Sequence, residues 1–182
     1  MNNMLILIIS IVVLLIIFLI TLIIISKNKI QDELLSVEMS YEDINNSLKQ
    51  KYKLFKDIVE FIKSNLSIKE DAFKDFLNFS TKECQIDDLI HVLDKTTFEI
   101  NEYVDNYDDL LKNKDFLELK RKLYHTEMNF EAIVDYYNTK LIIYNKLKNN
   151  LPTSIATKLF QFDEYSKLEI NKKEISRLVN LN

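Results

Sequence analysis

The chain has 182 residues and a net charge of −4, and it contains 0 Gly and 1 Pro. That depletion removes the material of hairpin turns, bulges and phosphate-cradling loops, which excludes a sheet protein or a Rossmann-type fold and favours long helices joined by short polar links. Every charged side chain lies beyond residue 26 with both signs mixed, a mildly acidic balance that argues against a nucleic-acid partner. The one cysteine, Cys84, leaves no second thiol for an internal disulfide.

Residues 4–26 carry no charge and read almost entirely as Leu, Ile, Val and Phe. At 1.5 Å per residue such a helix extends roughly 30–35 Å, enough to cross the hydrocarbon core of a bilayer. A cleaved signal peptide needs a basic start, a shorter apolar stretch and a small-residue cleavage site, and none is present. Only Met1, Asn2 and Asn3 precede the run, whereas Lys27 and Lys29 follow it. The positive-inside bias therefore predicts a single-pass protein of the cell membrane, with its N-terminus outside and its C-terminal domain cytoplasmic.

Beyond the anchor, apolar residues recur at alternating three- and four-residue steps, the pattern of a helix that keeps one seam toward its neighbours. The first seam runs Ile30, Leu34, Val37, Tyr41, Ile44, Leu48, Phe55, Ile58 and Ile62, and Lys51 stands where the seam skips a turn. A polar residue on a seam snorkels or pairs. Asn65, Leu66 and Ser67 interrupt the pattern, and Ser67 with Glu70 has capping-box spacing, which predicts a short aromatic helix containing Phe73, Phe76, Leu77 and Phe79. A second such spacing, Ser80 to Glu83, predicts a break or kink before a helix that ends near Tyr107. The last long helix begins close to Asn113, and its seam continues from Phe116 to Leu151, where Pro152 is expected to stop it. A short helix from about Thr153 to Phe160 follows. The expected fold is all-α: an N-terminal transmembrane helix followed by an elongated antiparallel helical bundle, four-helix-bundle-like. Its divisions are a short segment 1–3, the transmembrane helix 4–26, a bundle domain 27–165 and a polar tail 166–182.

Several segments, taken in order, carry a resemblance. Tyr107 opens YDDLLKNKDFLEL; Thr126-Glu127, Tyr136-Tyr137-Asn138 and Tyr144-Asn145 follow; and Leu151-Pro152 opens LPTSIA. This series resembles the C-terminal pattern of the LemA family: a Tyr-Pro-x-Leu turn, an Asn-x-x-Phe helix start, Thr-Glu, two Tyr-Asn pairs and a Phe-Pro-Ser-Asn-like stop. Ile44, Leu48, Lys51, Tyr52 and Leu54 resemble the family's N-terminal motif, in which Arg usually occupies the place of Lys51. Lys53, Lys56, Asp108 and Val134 depart from it, standing where the family tends to have Asp, Pro, Pro and Arg. The resemblance extends from the anchor to about Tyr165. It implies one N-terminal membrane helix, a short outer terminus and a helical bundle facing the cytoplasm. It supplies no reaction.

No catalytic, cofactor-binding or metal-ligating constellation emerges from the residues. His91 and His125 have no second ligand at a recognisable spacing, and the Glu-x-x-His pair of di-iron bundles does not occur. The Tyr137-Asn138 and Tyr144-Asn145 pairs lie seven residues apart, on one helix face. Buried Tyr and Asn need hydrogen-bond partners, so these four are expected to set the register of the bundle, with Lys51, Thr126 and Glu127 as a polar layer deeper in. The function expected is a non-enzymatic, membrane-tethered interaction or scaffold module, bound to the lipid bilayer through residues 4–26 and to an unidentified protein partner or to itself. The alternatives are a self-assembling envelope protein and a metal-dependent or hydrolytic enzyme.

Overall fold

The structure is a computed structural model, and it describes residues 2–82 and 84–170. The second capping-box position, Glu83, and the tail from residue 171 onward lie outside the described residues. Among those described there is no strand; the helices are α1 (Asn2–Asn65), α2 (Lys74–Asn78), α3 (Ile86–Asn106), α4 (Lys114–Asn149) and α5 (Thr153–Leu159), with a 3₁₀ turn at Leu110–Lys112. All-α is therefore the fold class. The uncharged apolar run and the first seam form one helix of 64 residues. Ser26, Lys27, Asn28 and Lys29, which join them, offer neither Gly nor Pro to end it.

The described chain divides into two compact units, one built from residues 2–40 with Tyr136–Lys167, the other from Tyr41–Asp135 with residues 168–170. In the first unit the apolar residues of α1 up to Ile20 are exposed, and burial of the helix becomes complete only at Ser26 and Ile30. Glu33 on α1 meets Lys140 on α4 at 3.3 Å. After α4 the chain turns at Leu151 and Pro152 into α5, then runs on without regular structure. The Thr153 hydroxyl donates to the Leu147 and Asn150 carbonyls and that of Thr157 to the Lys148 carbonyl, which folds α5 back on the end of α4.

In the second unit α1 and α4 run antiparallel, since the contacts climb α1 from Lys51 to Phe61 while they descend α4 from Glu127 to Phe116. The core there holds Ile44, Leu48, Phe55, Ile58 and Ile62 of α1 with Leu123, Phe130 and Val134 of α4 and Leu89, Leu93 and Ile100 of α3. Asn113 caps α4, its side-chain oxygen accepting the amides of Asp115 and Phe116 at 2.9 and 3.3 Å.

The segment between α1 and α3 departs from expectation. Ser67 and Glu70 do not cap a helix; α2 starts only at Lys74, behind Phe73, whose backbone is left-handed at φ 60° and ψ 21°. Burial of the Phe73 ring against Tyr103 and donation of its amide to Glu99 Oε2 at 3.0 Å hold that conformation. A bulky residue in this region costs on the order of 1–3 kcal/mol, which only tertiary contacts offset. The segment then runs back along α1, with the Tyr52 hydroxyl in hydrogen-bond reach of the Phe76 and Phe79 carbonyls, at 3.2 and 3.1 Å, and Asp75 ion-paired with Lys95 of α3. Because of that return, α3 travels in the same direction as α1: Leu93 lies at the level of Lys51, and Tyr103 at the level of Ser67 and Ile68.

Replacing Glu99 by Ala should destabilise the full chain by about 1–2 kcal/mol, the worth of a half-exposed hydrogen bond to a charged acceptor. Glu99→Gln, which keeps an acceptor oxygen, should lose less. Chemical denaturation of the two variants in detergent micelles measures the difference.

Candidate functional site

Lys51 and Glu127 are the ionisable pair most deeply enclosed in the second unit. Both are buried, and Lys51 Nζ lies 2.6 Å from Glu127 Oε1. At that separation the ammonium and the carboxylate attract by charge and by a charge-assisted contact, and both lower the Glu127 pKa. The ammonium is also flanked by the rings of Phe55 and Phe130, with centroids at 5.5 and 5.6 Å, within range of a cation–π attraction. Burial holds the Glu127 carboxyl above the usual range, the Lys51 charge pulls it back down, and Glu131 and Asp94 push it up again. A cavity of about 10 Å³ beside the ammonium, lined in part by Leu48, Asp94 and Phe130, has room for about one water and for no substrate.

Thr126 stands apart from this pair. It is half-buried, and its hydroxyl donates to the Lys122 carbonyl one turn back, at 3.0 Å. The neighbour that the electrostatics bring in is Asp94 of α3. No spacing on α1 or α4 points to it, because it arrives from a third helix.

The Tyr-Asn pairs lie in the first unit, and their members divide. Tyr137 and Tyr144 are buried; their hydroxyls donate to the Ser166 and Asp163 carbonyls at 2.8 and 2.7 Å. They therefore clasp the irregular segment that follows α5. Burial first, and then the charges of Asp163 and its neighbours, push the Tyr144 phenol up to about 12, so it remains a donor across the physiological range. Asn138 is half-buried, whereas Asn145 is exposed and offers its backbone carbonyl to Asn149 at 2.9 Å. α4 ends at Asn149, before Pro152.

The LemA family pattern matches residues 40–182, from the middle of α1 through α4, α5 and beyond. The chain belongs to the LemA family. No curated protein and no solved structure matches it.

An open cleft of this LemA-family chain, about 770 Å³, lies in the second unit between Ser67–Ala72 and the end of α3. Asp71, Glu99 and Glu102 line it with Tyr103, Tyr107 and Lys69, but Glu99 is engaged by the Phe73 amide, and neither His nor Cys reaches the cleft. No three His, Cys, Asp or Glu side chains gather as a metal site among the described residues. His91 and His125 are both exposed, the latter edge-on to Tyr124, and Cys84 is a half-buried free thiol.

Lys51→Met should destabilise the full chain by about 3–5 kcal/mol, because it strands the Glu127 carboxylate in the core, while Lys51→Met with Glu127→Leu should return to wild-type stability or exceed it. Denaturant midpoints for the two singles and the double give the coupling directly.

A raised Glu127 pKa also sets a pH dependence. The folded chain holds that proton more tightly than the unfolded one, so the contribution is full below the ordinary value of 4.5 and is lost as pH rises through the raised value. Over that window the stability of wild type relative to Glu127→Gln should fall as pH increases, and paired denaturation curves across acid pH test the sign.

Proposed function

We propose that this LemA-family chain is a single-pass membrane protein whose helical body works as a non-enzymatic interaction or scaffold module on the cytoplasmic side. The observation that carries the reading is the change of surface along α1. In its first part large apolar side chains stand exposed, with none of the apolar window buried inside the protein, and further along the same helix the apolar seam is buried. A lipid environment makes the first part favourable, since past its first turn the backbone groups are satisfied within the helix. Lys27 and Lys29 behind the run, with no charge before it, support an outer N-terminus and a cytoplasmic body.

Enclosure of the Lys51–Glu127 pair supports a structural role for it. We assign that pair to the alignment of α1 with α4, and Tyr137 and Tyr144 to holding the segment after α5. Acid–base chemistry needs groups that a substrate can reach, and these are sealed or engaged by backbone. A tethered module gains from confinement, because two-dimensional diffusion raises the effective concentration of partners near the membrane.

Affinity capture of the full chain from native membranes, compared with the chain lacking residues 1–26 and checked for helicity by circular dichroism, tests the proposal. A specific partner set depleted on truncation is expected. Absence of any specific partner in both forms overturns it.

A further inference from the structure

α5 is amphipathic with its faces reversed for a helix in water. Thr153 and Ala156 are buried and Thr157 is bonded to α4, so the small and weakly polar side of the helix faces the protein. Ile155 is 43% exposed and Leu159 62%, and the adjoining Leu151 and Phe160 are 78% and 38% exposed. A water-facing helix buries residues of the second kind and exposes those of the first.

The location of this face indicates what covers it. Lys27 is the first charged residue after the apolar run, and its Nζ lies 4.7 Å from the centre of the Phe160 ring. That contact sets the end of α5 beside the point where α1 leaves its uncharged stretch, the level of the lipid headgroups if α1 crosses a bilayer. The cations there fit the same environment: Lys29 on α1, Lys146 in the last turn of α4 and Lys158 in the last turn of α5 are all exposed. Apolar side chains with lysines around them are the composition of a helix lying in the boundary between headgroups and acyl chains of an anionic bilayer.

We propose that Leu151, Ile155, Leu159 and Phe160 dock into the headgroup–acyl boundary of the same membrane that α1 crosses, so that the α4–α5 turn forms a second, non-spanning lipid contact. This rests on the membrane-anchor reading. The contact would leave the first unit held to the bilayer at two places, with the lysines meeting anionic headgroups.

The chain contains 0 Trp, so a single introduced tryptophan reports alone. Leu159→Trp, Ile155→Trp, Phe18→Trp in the apolar run and Phe98→Trp on α3 are each reconstituted as full chains in vesicles of phosphatidylcholine and phosphatidylglycerol, with and without bromine on the acyl chains near their carbonyl ends. Leu159→Trp and Ile155→Trp should emit at shorter wavelength than Phe98→Trp and lose most of their emission in brominated vesicles, while Phe98→Trp keeps its own. If Phe18→Trp is quenched and both α5 variants are not, the second contact is overturned and the anchor stands. If Phe18→Trp itself escapes quenching, both readings fall. Blue-shifted α5 emission that is indifferent to brominated lipid but changes with the protein-to-lipid ratio gives the face to a second copy, and likewise overturns the proposal.

Discussion

A charge left alone in a protein core is costly, and in the second unit Lys51 and Glu127 meet where α1 lies along α4. Their apolar seams repeat every three or four residues with similar side chains, and such seams tolerate a slip by one turn. A slip of about 5.4 Å would part the pair and leave the Lys51 ammonium among Leu48, Phe55 and Phe130 without Glu127. On the alignment role we propose for the pair, apolar packing supplies the stability of the unit and the ion pair penalises the alternatives.

In the first unit the corresponding work falls to tyrosines. Beyond α5 the described chain has no regular structure, and its carbonyls lack helical partners. Tyr137 and Tyr144, two turns apart on α4, supply donors to two of those carbonyls, and their rings fill the core beneath. Lys148, over the Tyr144 ring and 3.7 Å from Glu164, adds a weaker tie of the same segment to α4.

The same economy of polar groups bears on chemistry. An active site needs ionisable side chains that are both perturbed and accessible. Here Glu127, whose carboxyl is most affected by burial, is enclosed, while the carboxylates of the open cleft at the end of α3 lie on a solvated rim or bind backbone. Tyr103, which borders that cleft, is stacked on Tyr107 and packed on Phe73, so its ring belongs to the scaffold that holds the return segment.

The uncharged apolar run, the long helices, the start of α4 close to Asn113 and its end before Pro152 are local matters, decided by runs of side chains and by the presence or absence of an amide hydrogen, and the sequence by itself determined them. It also carried the family, through motifs that need only order and spacing. The continuity of α1 shows only in the structure, where the uncharged run and the first seam, separate elements in the sequence reading, join as one helix because nothing between Ser26 and Ile30 breaks it. The pattern Leu151, Ile155, Leu159 against Thr153, Ala156, Thr157 was visible as well, but periodicity tells which residues share a face and not which face turns inward. Tertiary structure alone decided that the face of α5 with large apolar side chains points out, that Phe73 takes a left-handed backbone where a capping box was expected, that Asp94 arrives beside Lys51, and that Thr126 stays with its own helix. The placements of Phe73 and Asp94 depend on neighbours distant in the chain, and in every case the free energy of burying or pairing a group is set by whatever occupies the space around it.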